Sequence, residues 1–385
     1  MGKSKEKSPK PAKNTEKAKE ESRRGDQKSL ANEMKSRASV KLHGVDNAET
    51  YEHPGSTAAA TREMDPSSLK YFAQNVDIKV KKLTADEMVF DLVGAEPPLA
   101  NALRRIMIAE IATMAIEKVT MWQNTGIIPD ENLAHRVGLI PIQADARLFE
   151  YHESGSEHTE SDCIKFRLHK RCTKKDPSAP MILNETHDEE ALFNNPNVYS
   201  GDLEWVPMGD QQKRFGTIKP LFDDILIAKL RPGQEIEMDL ICEKGIGKTH
   251  AKWSPVCTAY YRLLPDIRIE KGAITGKSAK ELKKVCPMGV FDIEDLGGEG
   301  KSFTTSNEST VSAIVKNPRA CTTCRECLRH DQFNGKIDLG KKKDVFEFHV
   351  ESVGIYKPQD IVFQALEVLK QKAHKWMDVI QSEDE

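Results

Sequence analysis

The sequence predicts an α+β protein, and three observations carry that prediction. Apolar and polar residues alternate between residues 76 and 92, which is typical of strands. Short apolar runs divided by Asn, Asp, Pro and Gly fill residues 121–252, and apolar residues recur at helical spacing after Pro358. The chain has 385 residues, of which 38% are apolar and 30% charged. That length is enough for two or three domains with hydrophobic cores.

The first ordered elements are predicted to be two antiparallel strands and a helix. The alternation covers Val76–Val80 and then Met88–Leu92, with a turn near Ala85. Pro97 starts the helix, because proline suits a first helical turn. Apolar residues at helical spacing on one stripe of this helix are Leu99, Ala100, Leu103, Ile106 and Met107.

The middle of the chain is predicted to be a mostly β domain. We interpret IIPDENLAHRVGLIPI, CIKFRLHKRC and ILIAKLRPGQEIEMDLICEKG as strands joined by polar loops. CTAYYRLLPDIRI and DVFEFHVESVG predict two further strands. After them Pro358 starts a long helix, whose apolar residues recur at helical spacing. The pattern leaves open whether this face packs on the domain's own core or on a partner.

The composition excludes several classes of protein. Residues 1–66 are rich in Lys, Glu, Ser and Thr and predict a disordered basic tail. The sequence has no run of 18 apolar residues and no apolar core near its start, so we expect neither a membrane helix nor a secretory signal. The net charge of -3 gives no general argument for nucleic-acid binding, although the tail could contact polyanions or carry a nuclear address.

Three closely spaced cysteines raise the question of a metal centre. Cys321, Cys324 and Cys327 form a C-x2-C-x2-C run, but Asp331 stands where a ferredoxin run has its fourth cysteine. Cys286, in a Cys-Pro dipeptide upstream, completes a set of four thiolates. These four predict a [4Fe-4S] cluster, with zinc as an alternative. Three reduced cysteines in a surface loop are the third interpretation.

The other four cysteines are scattered, and we expect them to be buried or idle: Cys163, Cys172, Cys242 and Cys257. An intracellular chain with this spacing does not suggest a disulfide framework. We find no credible pairing of a nucleophile with a base, which argues against an independent enzyme.

A long segment resembles the signature of the alpha-like subunits of cellular RNA polymerases, the family that includes the bacterial alpha protein and its archaeal counterparts. This segment is NALRRIMIAEIATMAIEKVTMWQNTGIIPDENLAHRVGLIPIQAD, beginning at Asn101. The resemblance extends over roughly residues 72 to 380. The segments ADARLFEY, YSGDLEWVPMGDQ, ILIAKLRPGQEIEM and KGIGKTHAKWSPV look like the larger alpha-like subunit shared by eukaryotic RNA polymerases I and III.

The resemblance implies a discontinuous dimerisation domain of the alpha-subunit type with a mostly β insert domain and a small ferredoxin-like insertion. The implied boundaries are a tail at 1–66, dimerisation segments at 67–120, 253–267 and 343–385, the insert domain at 121–252, and the insertion at 268–342.

The resemblance also implies a non-catalytic assembly subunit of polymerases I and III, located in the nucleus and nucleolus. It would pair with the smaller alpha-like subunit, support the large catalytic subunits, and meet DNA only through the complex. The alternative function is an electron-transfer protein with one iron–sulfur cluster. The interface residues implied are Leu99, Leu103, Ile106, Met107, Arg104, Arg105, Ile361, Ala365, Leu366, Leu369 and Trp376.

Overall fold

The computed structural model describes residues 76–153, 155–176, 192–270, 272–295 and 311–383, together with 40–41, 44–45 and 73. The predicted tail at 1–66 lies outside these residues apart from four positions. No helix in the described part of the chain is long and apolar enough to cross a membrane.

Strands account for most of the regular structure. In chain order they are β1 (Val40–Lys41), β2 (Gly44–Val45), β3 (Asp77–Leu83), β4 (Glu87–Val93), β5 (Ala112–Asn124), β6 (Ile142–Gln143), β7 (Cys163–Arg171), β8 (Thr173–Lys174), β9 (Phe193–Asn194), β10 (Asn197–Tyr199), β11 (Glu204–Val206), β12 (Lys219–Pro220), β13 (Leu226–Lys229), β14 (Glu235–Ile246), β15 (Val256–Ile269), β16 (Phe291–Asp295), β17 (Val311–Val315) and β18 (Ile337–Ser352). The α-helices are α1 (Pro97–Ala109), α2 (Asp130–Gly138), α3 (Gln211–Phe215), α4 (Gly276–Val285), α5 (Glu326–Arg329) and α6 (Pro358–Glu383). The mixture confirms the predicted α+β class.

The described chain divides into two compact units. The larger unit contains Lys79–Asp91, Pro98–Tyr261 and Phe348–Glu385. The smaller unit consists mainly of Leu92–Pro97 and Arg262–Glu347. The domain boundaries predicted from the resemblance, and the ferredoxin-like topology of 268–342, stay predictions.

The larger unit is built around an antiparallel sheet with the strand order β11, β7, β14, β5. Leu240 in β14 pairs with Val119 in β5 on one side and with Phe166 in β7 on the other. Alternate residues of β14 are buried, as the period of two in a strand requires. The core beneath this sheet includes Ile116, Leu133, Ile164, Phe166, Met238 and Leu240.

A second four-stranded sheet has the order β15, β18, β4, β3. Phe90 of β4 stacks on Phe348 of β18 with ring centroids 5.0 Å apart. The prediction that the first strand is half-buried is wrong, because every residue of β3 is exposed. As the last strand of the sheet, β3 pairs only with β4, and Val80 and Leu83 are not covered.

One predicted strand is a helix in the structure. The run IIPDENLAHRVGLIPI contains α2, which follows Pro129 and carries Asp130 and Glu131 in its first turn. Acidic residues at a helix start and basic ones at its end match the helix dipole, and Arg136 stands in the last turn. Leu133 is buried in the core of the larger unit. The prediction of a strand here is therefore wrong.

The smaller unit packs α4 and α5 with the hairpin of β16 and β17. The hairpin is antiparallel, with Phe291 opposite Val315. Its core contains Ala279 and Leu282 from α4 together with Phe333, and Cys327 belongs to the same cluster. Cys286 and Cys321 are partly buried against this core.

Candidate docking face and cysteine cavity

Only the first two turns of the last helix, α6, pack against the core of the chain. Ile361 and Ala365 are fully buried, whereas all residues from Lys370 to Ser382 are exposed. Exposed large apolar side chains also recur along α6 at helical spacing. We call these the docking face: Phe363 (67% exposed), Leu366 (40%), Trp376 (68%), Met377 (55%) and Ile380 (58%).

The start of α6 is held in place by two polar contacts. The Tyr356 hydroxyl accepts a hydrogen bond from the Ala146 amide and donates one to the Ala112 carbonyl, both at 3.1 Å. Burial raises the pKa of Tyr356 to about 12, so this hydroxyl stays a donor. Further along, Lys372 Nζ lies 2.7 Å from Glu110 Oε1. The exposed docking face therefore projects from an anchored helix.

The structure divides the predicted apolar interface residues into three groups by burial. Leu103, Ile106 and Met107 of α1 are buried within the chain itself, as are Ile361 and Ala365 of α6. These five are core residues, and we correct their assignment to a partner interface. Leu366 and Trp376 are exposed, whereas Leu99 and Leu369 are partly buried.

Three members of the docking face, Phe363, Met377 and Ile380, are absent from the interface predicted from the sequence. Met377 lies four residues after Ala373 and three before Ile380, so the same helical spacing would have found it. Phe363 lies next to the buried Val362, at the edge of the stripe, where periodicity does not separate core from surface.

The two arginines of α1 differ in their surroundings. The Arg104 guanidinium is partly buried, and its Nη2 donates to Asn101 Oδ1 at 2.9 Å. Arg105 is exposed. Their predicted contact with a large subunit stays a prediction.

The four predicted ligand cysteines line one cavity in the smaller unit. Cys286 ends α4, Cys321 and Cys324 lie in the loop after β17, and Cys327 lies in α5. Apolar side chains such as Ile267, Val290, Phe291 and Leu339 form most of the remaining wall, which also includes Thr322, Arg325 and Glu326. The structure thus brings together thiols from two segments that are 35 residues apart, counted from 286 to 321.

Burial and mutual proximity raise the pKa values of two of these thiols. Burial raises the pKa of Cys327 to about 11, and the charges of the other three cysteines act in the same direction. The pKa of Cys321 is also raised, first by burial and then by Cys324 and Cys286. A bound metal would lower these pKa values, because metal ions bind cysteine in its thiolate form.

Near the cysteines, two residues have an unusual backbone conformation and two backbone amides donate to cysteine sulfurs. Thr323 (φ 62°) and Arg325 (φ 65°) adopt the left-handed conformation, which is unfavourable for a β-branched residue such as Thr323. The Thr323 amide donates to Cys321 Sγ at 3.4 Å, and the Val290 amide donates to Cys286 Sγ at 3.4 Å. Strain and amide-to-sulfur hydrogen bonds are both features of ligand-binding loops.

The spacing of the sulfurs bears on the kind of metal centre. Among the described residues, the groups of three or more ligand atoms within 4.8 Å of one another all contain histidine, and the cysteine set is not one of them. A tetrahedral zinc site, with Zn–S bonds of about 2.3 Å, places its sulfurs about 3.8 Å apart. In the metal-free chain, therefore, no three of the four cysteine sulfurs all lie within 4.8 Å of one another.

A buried carboxylate connects the cysteine loop to the strands of the smaller unit. Glu347 in β18 accepts hydrogen bonds from Arg262 Nη2 at 2.6 Å and Nε at 2.9 Å. Its other oxygen contacts Arg319 Nη1. Arg262 also donates to the Arg319 carbonyl at 2.9 Å, two residues before Cys321. This network holds the start of the loop.

Comparisons with known proteins show the family of this chain. The family model described as the RNA polymerase Rpb3/Rpb11 dimerisation domain matches residues 89–373. The human protein named DNA-directed RNA polymerases I and III subunit RPAC1 is 41% identical over 349 residues, which cover 90% of this chain and 95% of the relative.

Two more distant relatives extend the comparison. The Saccharomyces cerevisiae protein of the same name is 37% identical over 87% of this chain and 95% of its own length. A Dictyostelium discoideum protein named DNA-directed RNA polymerase II subunit rpb3 is 33% identical over 77% of this chain and 92% of its own. The chain therefore belongs to the RNA polymerase Rpb3/Rpb11 dimerisation domain family.

Proposed function

We propose that this chain is the larger alpha-like subunit shared by RNA polymerases I and III. It is 37–42% identical to relatives that carry this name, against 33% for the polymerase II relative. In this role it pairs with the smaller alpha-like subunit and supports the large catalytic subunits in the synthesis of ribosomal and transfer RNA. It works in the nucleus, including the nucleolus, and contacts DNA only through the complex.

The docking face is the observation that carries this proposal. Its five large apolar side chains are 40–68% exposed on a helix that is anchored at its start. A large apolar side chain contributes about 1.5–3 kcal/mol when it is fully buried, so covering the face favours a stable subunit contact. A partner helix with its own apolar stripe would provide that cover.

The subunit itself is proposed to be non-catalytic. The sequence offers no credible pair of nucleophile and base. Nucleotide addition needs magnesium, which is bound by oxygen ligands such as carboxylates. That chemistry belongs to the large subunits in this proposal.

The test is mass spectrometry of the proteins that stay bound to the tagged full-length chain from its own cells. A high-salt wash removes contacts made only by exposed charges. We expect a small alpha-like protein together with the two largest subunits of both polymerase I and polymerase III. Recovery of polymerase II subunits alone, or of no stable partner, would contradict the proposal.

We further propose that Cys286, Cys321, Cys324 and Cys327 hold a [4Fe-4S] cluster. Four thiols line one cavity, and the C-x2-C-x2-C run of Cys321, Cys324 and Cys327 is the spacing of bacterial ferredoxins, whereas four-cysteine zinc sites usually have two C-x2-C pairs. The relatives are named as polymerase subunits, so the cluster would fasten the smaller unit rather than transfer electrons.

Anaerobic purification of the full-length chain tests the cluster. We expect iron and sulfide in equal amounts and a visible absorption band that dithionite bleaches. Cys321→Ala combined with Cys327→Ala should lose all three signals, while Cys257→Ala, which changes an exposed thiol outside the cavity, should keep them. Stoichiometric zinc without iron would support the zinc alternative, and a metal-free native chain would leave the cysteines as reduced thiols.

A further inference from the structure

The last turn of α6 carries a serine that is followed by three acidic residues. Glu383, Asp384 and Glu385 come directly after Ser382, and no other serine or threonine in the sequence is followed by three acidic residues. A protein kinase of the acidophilic class binds carboxylates at these positions with its own Arg and Lys side chains, since charge-assisted hydrogen bonds to carboxylates are strong. The sequence around Ser382 therefore has the recognition signal of such a kinase.

The Ser382 side chain is accessible to an enzyme. It is exposed, as are all residues of α6 from Lys370 onward to Ser382. Ser382 lies two residues after Ile380 of the docking face, and residues two apart on a helix point to different sides. A partner helix that covers the docking face therefore leaves the Ser382 hydroxyl uncovered.

The end of α6 can open locally without disturbing the core. Among the side chains of the helix that the structure describes, Ala365 is the last one that is buried, and it lies 17 residues before Ser382, counted from 365 to 382. The contact between Lys372 and Glu110 lies ten residues before Ser382, counted from 372 to 382. Helix ends that lie far from the core open at a small cost in free energy, so the last turn can enter the active site of a kinase in extended form.

In the unmodified chain, the Ser382 hydroxyl contributes to the end of the helix. It donates a hydrogen bond to the Val379 carbonyl at 2.8 Å. This bond adds to the few that hold the last turn, where the carbonyls run out of amide partners. Phosphorylation turns Oγ into an ester oxygen, which carries no proton, so the bond to the Val379 carbonyl is lost.

A phosphate on Ser382 would also place negative charge at an unfavourable end of the helix. A phosphoserine carries a charge of about −1.5 to −2 at pH 7. The carbonyl end of a helix is the negative end of its dipole, and the last turn of α6 contains no basic residue. Asp378 lies four residues before Ser382 on the same side of the helix, and like charges at this spacing destabilise a helix. The lost hydrogen bond and the added charge both favour opening of the last turn.

We propose that an acidophilic kinase phosphorylates Ser382 and that the modification weakens pairing through the docking face. The kinase transfers the γ-phosphoryl group of ATP. The bond between the γ-phosphorus and the β-phosphate oxygen breaks, a bond from this phosphorus to Ser382 Oγ forms, the hydroxyl proton passes to solvent and ADP leaves. The last turn then opens, and Ile380 no longer lies on one stripe with Met377 and Trp376. The effect on pairing rests on the proposed function, whereas the phosphorylation does not.

Mass spectrometry of the full-length chain from its own cells, purified with phosphatase inhibitors, tests the modification. We expect phosphate on Ser382. In the purified chain, casein kinase II and ATP should add this phosphate, and Ser382→Ala should not receive it. Glu385→Gln, which keeps the serine but removes one recognition carboxylate, should be modified at least about fivefold more slowly. An unmodified Ser382 in the chain from its own cells, or equal rates for Glu385→Gln and the original chain, would overturn the proposal.

Titration with the smaller alpha-like subunit tests the effect on pairing. We expect the phosphorylated chain to bind about threefold to tenfold more weakly than the unmodified chain and to have a smaller helical circular-dichroism signal. Ser382→Ala, treated with kinase and ATP in the same way, should bind within about twofold of the unmodified chain. Equal binding by the phosphorylated and unmodified chains would overturn this inference and leave the proposed function intact. An unmodified chain that does not bind would instead contradict the proposed function, and with it the effect on pairing.

Discussion

Replacing Trp376 and Ile380 together by aspartate is expected to abolish pairing with the smaller alpha-like subunit. The two side chains are 68% and 58% exposed in the chain alone, so the charges cost little before binding. In the complex they would lose about 1.5–3 kcal/mol of apolar burial each, or roughly 3–6 kcal/mol together. Because about 1.4 kcal/mol corresponds to a tenfold change in affinity, we expect binding to weaken at least about 100-fold. Co-expression of the two subunits, followed by affinity purification and titration, measures this.

Gln371→Asp is the matched control for this pair. Gln371 is exposed on the same helix, but helical spacing places it away from the stripe that contains Leu366, Trp376 and Ile380. The control introduces the same side chain into α6, so it accounts for changes in helix propensity and charge. We expect its affinity for the partner to stay within about threefold of the original chain. Equal binding by the double variant and the original chain would show that the docking face is not the subunit contact.

Glu347→Ala is expected to lower the free energy of unfolding by several kcal/mol. The Glu347 side chain is 4% exposed and receives hydrogen bonds from Arg262 and Arg319. Breaking a buried ion pair by removal of one partner typically costs about 3–5 kcal/mol, because the remaining charges lose their counterion. Both arginines are about one-third exposed, so water will reduce this cost, and we expect about 2–4 kcal/mol. Urea unfolding of the full-length chain, followed by tryptophan fluorescence and circular dichroism, measures the change.

The same substitution should also affect the cysteine cavity. Arg319 lies two residues before Cys321, so loss of Glu347 frees the start of the loop. We expect Glu347→Ala to reduce the iron content of the anaerobically purified chain. Glu294→Ala, which removes an exposed carboxylate in the same unit, should leave both stability and iron content unchanged. A loss of stability below about 1 kcal/mol, or the same loss in both variants, would argue against the anchoring role of Glu347.

Local periodicity was sufficient for several elements of the fold. The strand β4, the helix α1 and the long helix α6 were predicted because each has a regular apolar spacing and a clear start, such as Pro97 or Pro358. The prediction failed for α2, where only Leu133 and Val137 mark the buried side of a short helix between proline-containing loops. Such a segment has too few periods to distinguish a helix from a strand.

The candidate sites depended more strongly on tertiary structure. The run from Cys321 to Cys327 was visible in the sequence, and the Cys-Pro dipeptide suggested Cys286 as the fourth member of the set. Only the tertiary structure places Cys286, 35 residues before Cys321 in the sequence, beside that run in one cavity.

By itself, the sequence determined the α+β class, the family resemblance and the presence of an apolar stripe on the last helix. Only the tertiary structure decided which residues of that stripe are available to a partner. Ile361 and Ala365 have the same apolar character as Ile380 but lie in the core, whereas Ile380 projects into solvent. The physical reason is that periodicity identifies which face of a helix is apolar. Whether a residue of that face is buried depends on how far along the helix the rest of the chain packs against it.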